Sequence, residues 1–146
     1  MTKNKYLYVS LVSALIFLVL HYLGMKFHLY WTYRWYDIPL HLLGGFWLSL
    51  FGLWISVRFG HIDSIVGYKS KALIIAVISA FIIGITWEIF ELIAGLTSLK
   101  ESGYLKDFGG DVFFTFLGGM IAYLYFIKRR ACLPGEDCVL KMDKKL

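Results

Sequence analysis

ALIIAVISAFIIGITWEIFELIAG, running from Ala72 to Gly95, is the stretch whose reading decides the fold. Its 24 residues are apolar almost without interruption. As a helix rising 1.5 Å per residue they reach about 36 Å, more than the roughly 30 Å of a bilayer's hydrocarbon core. A barrel strand would show about ten residues of alternating polarity, and no alternation is present. The stretch therefore reads as a transmembrane helix. Three further runs, Tyr6 to Leu23, Ile38 to Val57 and Phe108 to Ile127, have the same character.

The whole chain agrees with this reading. It has 146 residues, 59% hydrophobic and only 17% charged, whereas a soluble domain carries about 25% charge. The same figures exclude a disordered, collagen-like or disulfide-stapled chain. The length suits one domain. The expected architecture is all-α: a four-helix transmembrane bundle over residues 1–146, with helices at about 6–24, 38–57, 72–95 and 108–127 and a basic tail over 128–146. Lys3 and Lys5 precede the first run as in a signal peptide. That run is long for a signal's apolar segment, however, and His21-Tyr22-Leu23-Gly24 offers no small-x-small cleavage site, so it reads as a retained anchor.

Lysine and arginine set the expected orientation. One side of the bundle holds Lys3, Lys5, Arg58, Lys69, Lys71, Lys128, Arg129, Arg130, Lys141, Lys144 and Lys145; the other holds Lys26, Arg34, Lys100 and Lys106. The positive-inside rule then places both termini in the cytoplasm and the protein in the cell membrane. Tyr30, Trp31, Tyr33, Trp35 and Tyr36 fall at the outer headgroup level, where amphipathic rings settle. The net charge of +5 is thereby accounted for by topology and by attraction of the tail to anionic lipid. No nucleic-acid module accompanies it, and nucleic acid is not an expected partner.

The ionisable residues left in or beside the spans carry the functional information. His21 ends the first helix, Asp37 and His41 open the second, Glu88 and Glu91 lie late in the third, and Asp107 and Asp111 open the fourth. With the orientation fixed by Lys and Arg alone, all seven fall in the outer half of the membrane. Asp37 and His41 are spaced i,i+4, Glu88 and Glu91 i,i+3, and Asp107 and Asp111 i,i+4, so each pair shares a helix face. Three helices can each turn two ligands toward one centre.

Structural readings stand beside the functional ones. Asp37 precedes Ile38-Pro39 as an N-cap precedes a first-turn proline, and Asp107 sits before Phe108 in the same way. His21 and His28 lie near the interface, where an imidazole is tolerated. Gly44, Gly45, Gly84, Gly118 and Gly119 suit close helix packing, while Gly109 and Gly110, between two carboxylates, suit room for a ligand or an aqueous entrance. Glu88, Glu91 and Asp111 resist a structural account. A carboxylate in hydrocarbon costs on the order of 3 kcal/mol, and no span contains a Lys or Arg to offset it.

Carboxylates with imidazole suit a divalent metal such as Zn, Mn, Fe or Mg. Paired carboxylates can hold ions that polarise a phosphoryl or carbonyl oxygen. The expected metal ligands are Asp37, His41, Glu88, Glu91, Asp107 and Asp111, with His41, Glu88 and Glu91 also as acid or base groups. The same residues without metal would form a proton relay. A nucleotide-binding glycine loop, a nucleophilic serine elbow and a zincin motif are all absent from the sequence. Cys132 and Cys138, with five residues between them, lack metal-site spacing and are assigned no role.

Tyr36-Asp37-Ile38-Pro39-Leu40-His41, Trp87-Glu88-Ile89-Phe90-Glu91, and Asp111-Val112 followed by Leu117-Gly118-Gly119 resemble the VanZ-like and YjdF-like bacterial membrane proteins. The resemblance covers roughly Tyr36 to Tyr123. Thr115 stands where the VanZ-like pattern has Asn, Ile38 where it often has Lys, and the Thr97 to Lys106 loop lacks its Pro-Gly-Arg. The resemblance implies a small multi-helix membrane protein, in the VanZ case linked to glycopeptide tolerance. Three functional classes follow from the whole reading: a protein acting on or binding an envelope lipid or lipid-linked substrate, a proton-coupled transporter or flippase component using Glu88 and Glu91, and a structural membrane subunit. An oligomer is compatible with each.

Overall fold

The computed structural model describes residues 3–33, 35–62, 67–94, 97 and 103–130. Arg34, Lys100 and the 131–146 tail, with Cys132 and Cys138, lie outside the described residues.

Among the described residues five helices occur in the order α1 (Lys3–Lys26), α2 (Leu29–Thr32), α3 (Asp37–Arg58), α4 (Tyr68–Ala94) and α5 (Tyr104–Arg130), with no strand. All but the single-turn α2 are long and apolar enough to cross a membrane. Each long helix extends past its apolar run. Glycines with positive φ, Gly67 (77°) and Gly103 (104°), stand just before α4 and α5, and the amides of Lys106 and Asp107 both donate to the Gly103 carbonyl. Asp107 is therefore not the cap of its helix; it lies within the first turn. Asp37 is likewise inside α3, behind the capping position held by Tyr36.

Helix α3 is the hub. It packs on α1, α4 and α5, and α4 also packs on α5. In α4 the buried positions are Ala72, Ala76, Ala80, Gly84 and Glu88, one every four residues. Four small side chains let the helix lie close to its neighbours, and the fifth member of the row is a carboxylate. Most isoleucines of α4 face outward: Ile74, Ile78, Ile82, Ile85, Ile89 and Ile93 are exposed. Small residues inside and large apolar ones outside is the pattern of helices packed in lipid, where apolar side chains gain nothing by hiding from their solvent.

The α3–α5 seam is closer still. A Cβ added to Gly45 would collide with the Thr115 carbonyl, and one added to Gly118 with the Leu42 carbonyl, so the two backbones touch reciprocally. Hydroxyls tie the remaining helices to backbone: Ser49 Oγ donates to the Ala76 carbonyl at 3.0 Å, and Ser10 Oγ to that of Trp47 at 2.9 Å. The apolar core, with Tyr6, Leu50, Leu53, Val57, Ala72, Ala76, Ala122 and Phe126, occupies the end of the bundle where α3 finishes and α5 finishes. The polar residues collect at the opposite end.

Candidate functional site

At that polar end α3 and α5 begin, α1 and α4 finish, and the short α2 lies beside the end of α1. His41 is the central group, 5% exposed. One turn before it on α3, Asp37 places Oδ2 3.2 Å from His41 Nε2; across the seam, Asp111 places Oδ1 3.6 Å from the same nitrogen. One ligand atom from each of the three residues lies within 4.8 Å of the others. Two donors each about 2.0–2.2 Å from one ion stand at most about 4.4 Å apart, so the three residues could close on one ion with a small adjustment.

Thr115, one turn after Asp111, decides how the imidazole is used. Its hydroxyl donates to the Asp111 backbone carbonyl at 2.7 Å, and its oxygen lies 3.1 Å from His41 Nδ1. With the hydroxyl proton committed, Thr115 accepts from Nδ1–H, an assignment that follows from hydrogen-bond geometry. Nε2 is then the nitrogen turned toward the two carboxylates. It makes no aligned hydrogen bond, and Asp37 Oδ1 is also buried without a partner. Among the described residues no Lys or Arg reaches ion-pair distance of this group; the close contacts of Asp37 and Asp111 are with His41, and they are ion pairs only when its imidazole is protonated.

Glu88 comes in from α4 and is 3% exposed, with Oε1 unpartnered. Its electrostatic neighbours are His41, Asp37 and Asp107, and Asp111 is a side-chain hydrogen-bond partner, yet it stands outside the three-residue group. Glu91 is half-buried, and Trp87 Nε1 donates to its Oε1 at 2.8 Å. Asp107 is exposed. The structure thus gathers Asp37, His41 and Asp111, sets Glu88 beside them, and holds Glu91 through Trp87. Gly109 and Gly110 have open space where side chains would project.

Aromatic rings pack the remaining side of the polar end. Trp87 stands edge-on to His41, His21 and Phe17 at centroid distances of 6.5, 5.3 and 5.5 Å. The Tyr36 hydroxyl donates to the Leu20 carbonyl at 2.7 Å, tying the start of α3 to α1. Burial, with Asp37 as the second cause, raises the Tyr30 pKa. Its hydroxyl stays protonated and shares a hydrogen bond of 2.7 Å with His21 Nδ1. His21 belongs to this packing cluster, and His28, at φ 53°, forms the bend before α2.

Residues 4–131 match the family described as predicted membrane protein, DUF2238. The chain belongs to this family. The match spans all four long helices and so takes in the whole Asp37–His41–Asp111 group of this DUF2238 protein. Neither the curated proteins nor the solved structures contain a match.

Thr115 and Trp87, named in the sequence motifs but given no role there, are the side chains the structure sets against His41 and Glu91. Thr115 offered one signal: it lies i+4 from Asp111, on the same face as that carboxylate. For Trp87 the signal was its i,i+4 spacing to Glu91.

Proposed function

We propose that Asp37, His41 and Asp111 of this membrane protein hold a divalent cation, and that the centre binds or acts on the polar head of a membrane lipid or lipid-linked substrate. One observation carries the reading: a buried imidazole nitrogen, fixed in its tautomer by Thr115, faces two carboxylates with no aligned hydrogen bond. A lone pair pointed at two anions is repulsive unless a cation or proton lies between them. Three protein ligands leave coordination positions open for a substrate.

A cation bound there would polarise a phosphoryl or carbonyl oxygen. The chain's own groups do the rest. Thr115 orients His41, as outer-shell partners orient metal-binding histidines. Glu88 is placed to hold or release a proton beside the centre. The Lys/Arg asymmetry supports an outward-facing site with both termini cytoplasmic in the cell membrane. The motif resemblance to VanZ-like and YjdF-like proteins supports an envelope-lipid setting and, in the VanZ direction, a link to glycopeptide tolerance.

Metal analysis of protein purified without chelator tests the proposal. The expected result is a divalent metal near one per chain in the wild type, lost in His41→Ala and Asp111→Asn. Folded wild-type protein that takes up no Zn, Mn, Fe or Mg would overturn it. The second reading, proton-coupled transport, is favoured by the unpartnered Glu88 oxygen and the Trp87–Glu91 hydrogen bond. Flux driven by a pH gradient in metal-free liposomes, lost in Glu88→Gln, would select it.

A further inference from the structure

We propose that a half-enclosed chamber beneath His41 takes the hydrocarbon segment adjoining the head group of a membrane amphiphile, admitted sideways between α1 and α4. The chamber, about 100 Å³, is walled by Phe17, Gly44, Trp47, Ile83 and Trp87, with His41 and Thr115 at its polar side. An apolar cavity of about 150 Å³ stays dry and binds benzene. This smaller, half-open chamber with largely apolar walls has room for a short piece of hydrocarbon chain.

Its position fits an amphiphile. Along α3, Asp37, His41 and Gly44 succeed one another at about one turn each, as do Asp111 and Thr115 on α5. Charged ligands therefore come first, the imidazole and hydroxyl next, and the apolar chamber deepest. A lipid head held at the carboxylates would have its first carbons at the depth of the chamber.

The entrance follows from packing. Helices α1 and α4 each pack along α3, and neither packs along the other. The Phe17 and Trp87 rings, edge to face at 5.5 Å, bridge the gap between them. On the outer surface of α4, Ile78 and Ile82 are exposed, as suits a helix whose outer face meets lipid.

Gly44 makes the space. A Cβ there would meet the Phe17 ring at 3.7 Å, an ordinary contact, whereas one at Gly45 would strike the α5 backbone. A larger side chain at position 44 therefore fills the chamber without parting α3 from α5. The proposal rests on the preceding reading for the chemistry of the head group alone.

Photolabelling tests it. Purified protein is reconstituted in phosphatidylcholine vesicles containing a phosphatidylcholine whose acyl chain carries a diazirine near the glycerol, then irradiated, and adducts are mapped by mass spectrometry. Wild type should carry adducts on chamber residues Phe17, Trp47, Ile83 or Trp87 and on lipid-facing Ile78 and Ile82. Gly44→Leu should lose the chamber adducts and keep those on Ile78 and Ile82, which report correct insertion; Gly44→Ala should fall between. Chamber residues unlabelled in wild type, or labelled equally in Gly44→Leu and Gly44→Ala, would overturn the proposal. Gly44-dependent labelling in a wild type that takes up no metal would retire the cation and keep the chamber; bound metal without Gly44-dependent labelling would do the reverse.

Discussion

His41 Nδ1 lies 3.1 Å from the hydroxyl of Thr115, a residue 74 positions further along the chain. Thr115→Val removes that acceptor while keeping the side chain's volume. The expected effect is a loss of roughly 10–100-fold in metal affinity, the usual cost of removing an outer-shell partner. Thr115→Ser should retain most of the affinity. Competition against a chelator of known strength measures both. Equal affinity in all three proteins would show that Thr115 does not orient the ligand.

Glu88 is buried with an oxygen that has no partner. Glu88→Gln should therefore insert and fold at least as well as wild type, because a neutral amide avoids the cost, on the order of 3 kcal/mol, of a carboxylate within the bilayer. Thermal unfolding in detergent checks it. A clearly lowered Tm would mean that the carboxylate makes a stabilising bond.

Gly44 and Gly45 are adjacent but face different surroundings. Gly45→Ala forces apart two backbones in contact and should destabilise by at least about 1–3 kcal/mol, the usual range for overpacking. Gly44→Ala should fall well short of that. The comparison is a pair of denaturation midpoints, and similar losses at both positions would contradict the seam described for α3 and α5.

Tyr30 gives a pH dependence whose sign can be worked out. In the unfolded chain a tyrosine ionises at about 10; in the folded protein burial and Asp37 raise the Tyr30 pKa. Raising the pH beyond the unfolded value therefore favours the unfolded state, and the stability Tyr30 contributes below that value is progressively lost. Tyr30→Phe should cost about 1 kcal/mol at neutral pH through the lost bond to His21 and should show a shallower decline above pH 10. Parallel Tm-versus-pH curves would remove Tyr30 from the account.

Orientation is testable by labelling. With Cys132 and Cys138 replaced by Ser, Thr97→Cys should react with a membrane-impermeant maleimide on intact cells and His61→Cys should not. The reverse pattern would turn the site toward the cytoplasm.

The four spans were legible because hydrocarbon solvent demands long apolar runs, and Ala72 to Gly95 satisfies that demand almost residue by residue. The Asp37–His41 pair was legible for a local reason, since i,i+4 spacing on one helix decides it. Where Asp111 meets that pair was not. It depends on how closely α5 approaches α3, which Gly45 and Gly118 set through backbone contact. The same periodicity that suggested Asp111 suggested Asp107, yet Asp107 lies in an outlying first turn where Gly109 and Gly110 also meet no neighbours. Helix starts moved outward for a related reason: Gly103 and Gly67, at positive φ, precede helices that run beyond their apolar runs.

Because the α3–α5 seam is made of backbone against backbone, the distance from His41 to Asp111 is inherited from two glycines outside that group. In a genetic screen for loss of function, substitutions at Gly45 and Gly118 would fall in one phenotypic class with those at the carboxylates. A suppressor of either glycine defect would be sought on the facing helix, around Leu42 and Thr115, and not among Asp37, His41 and Asp111.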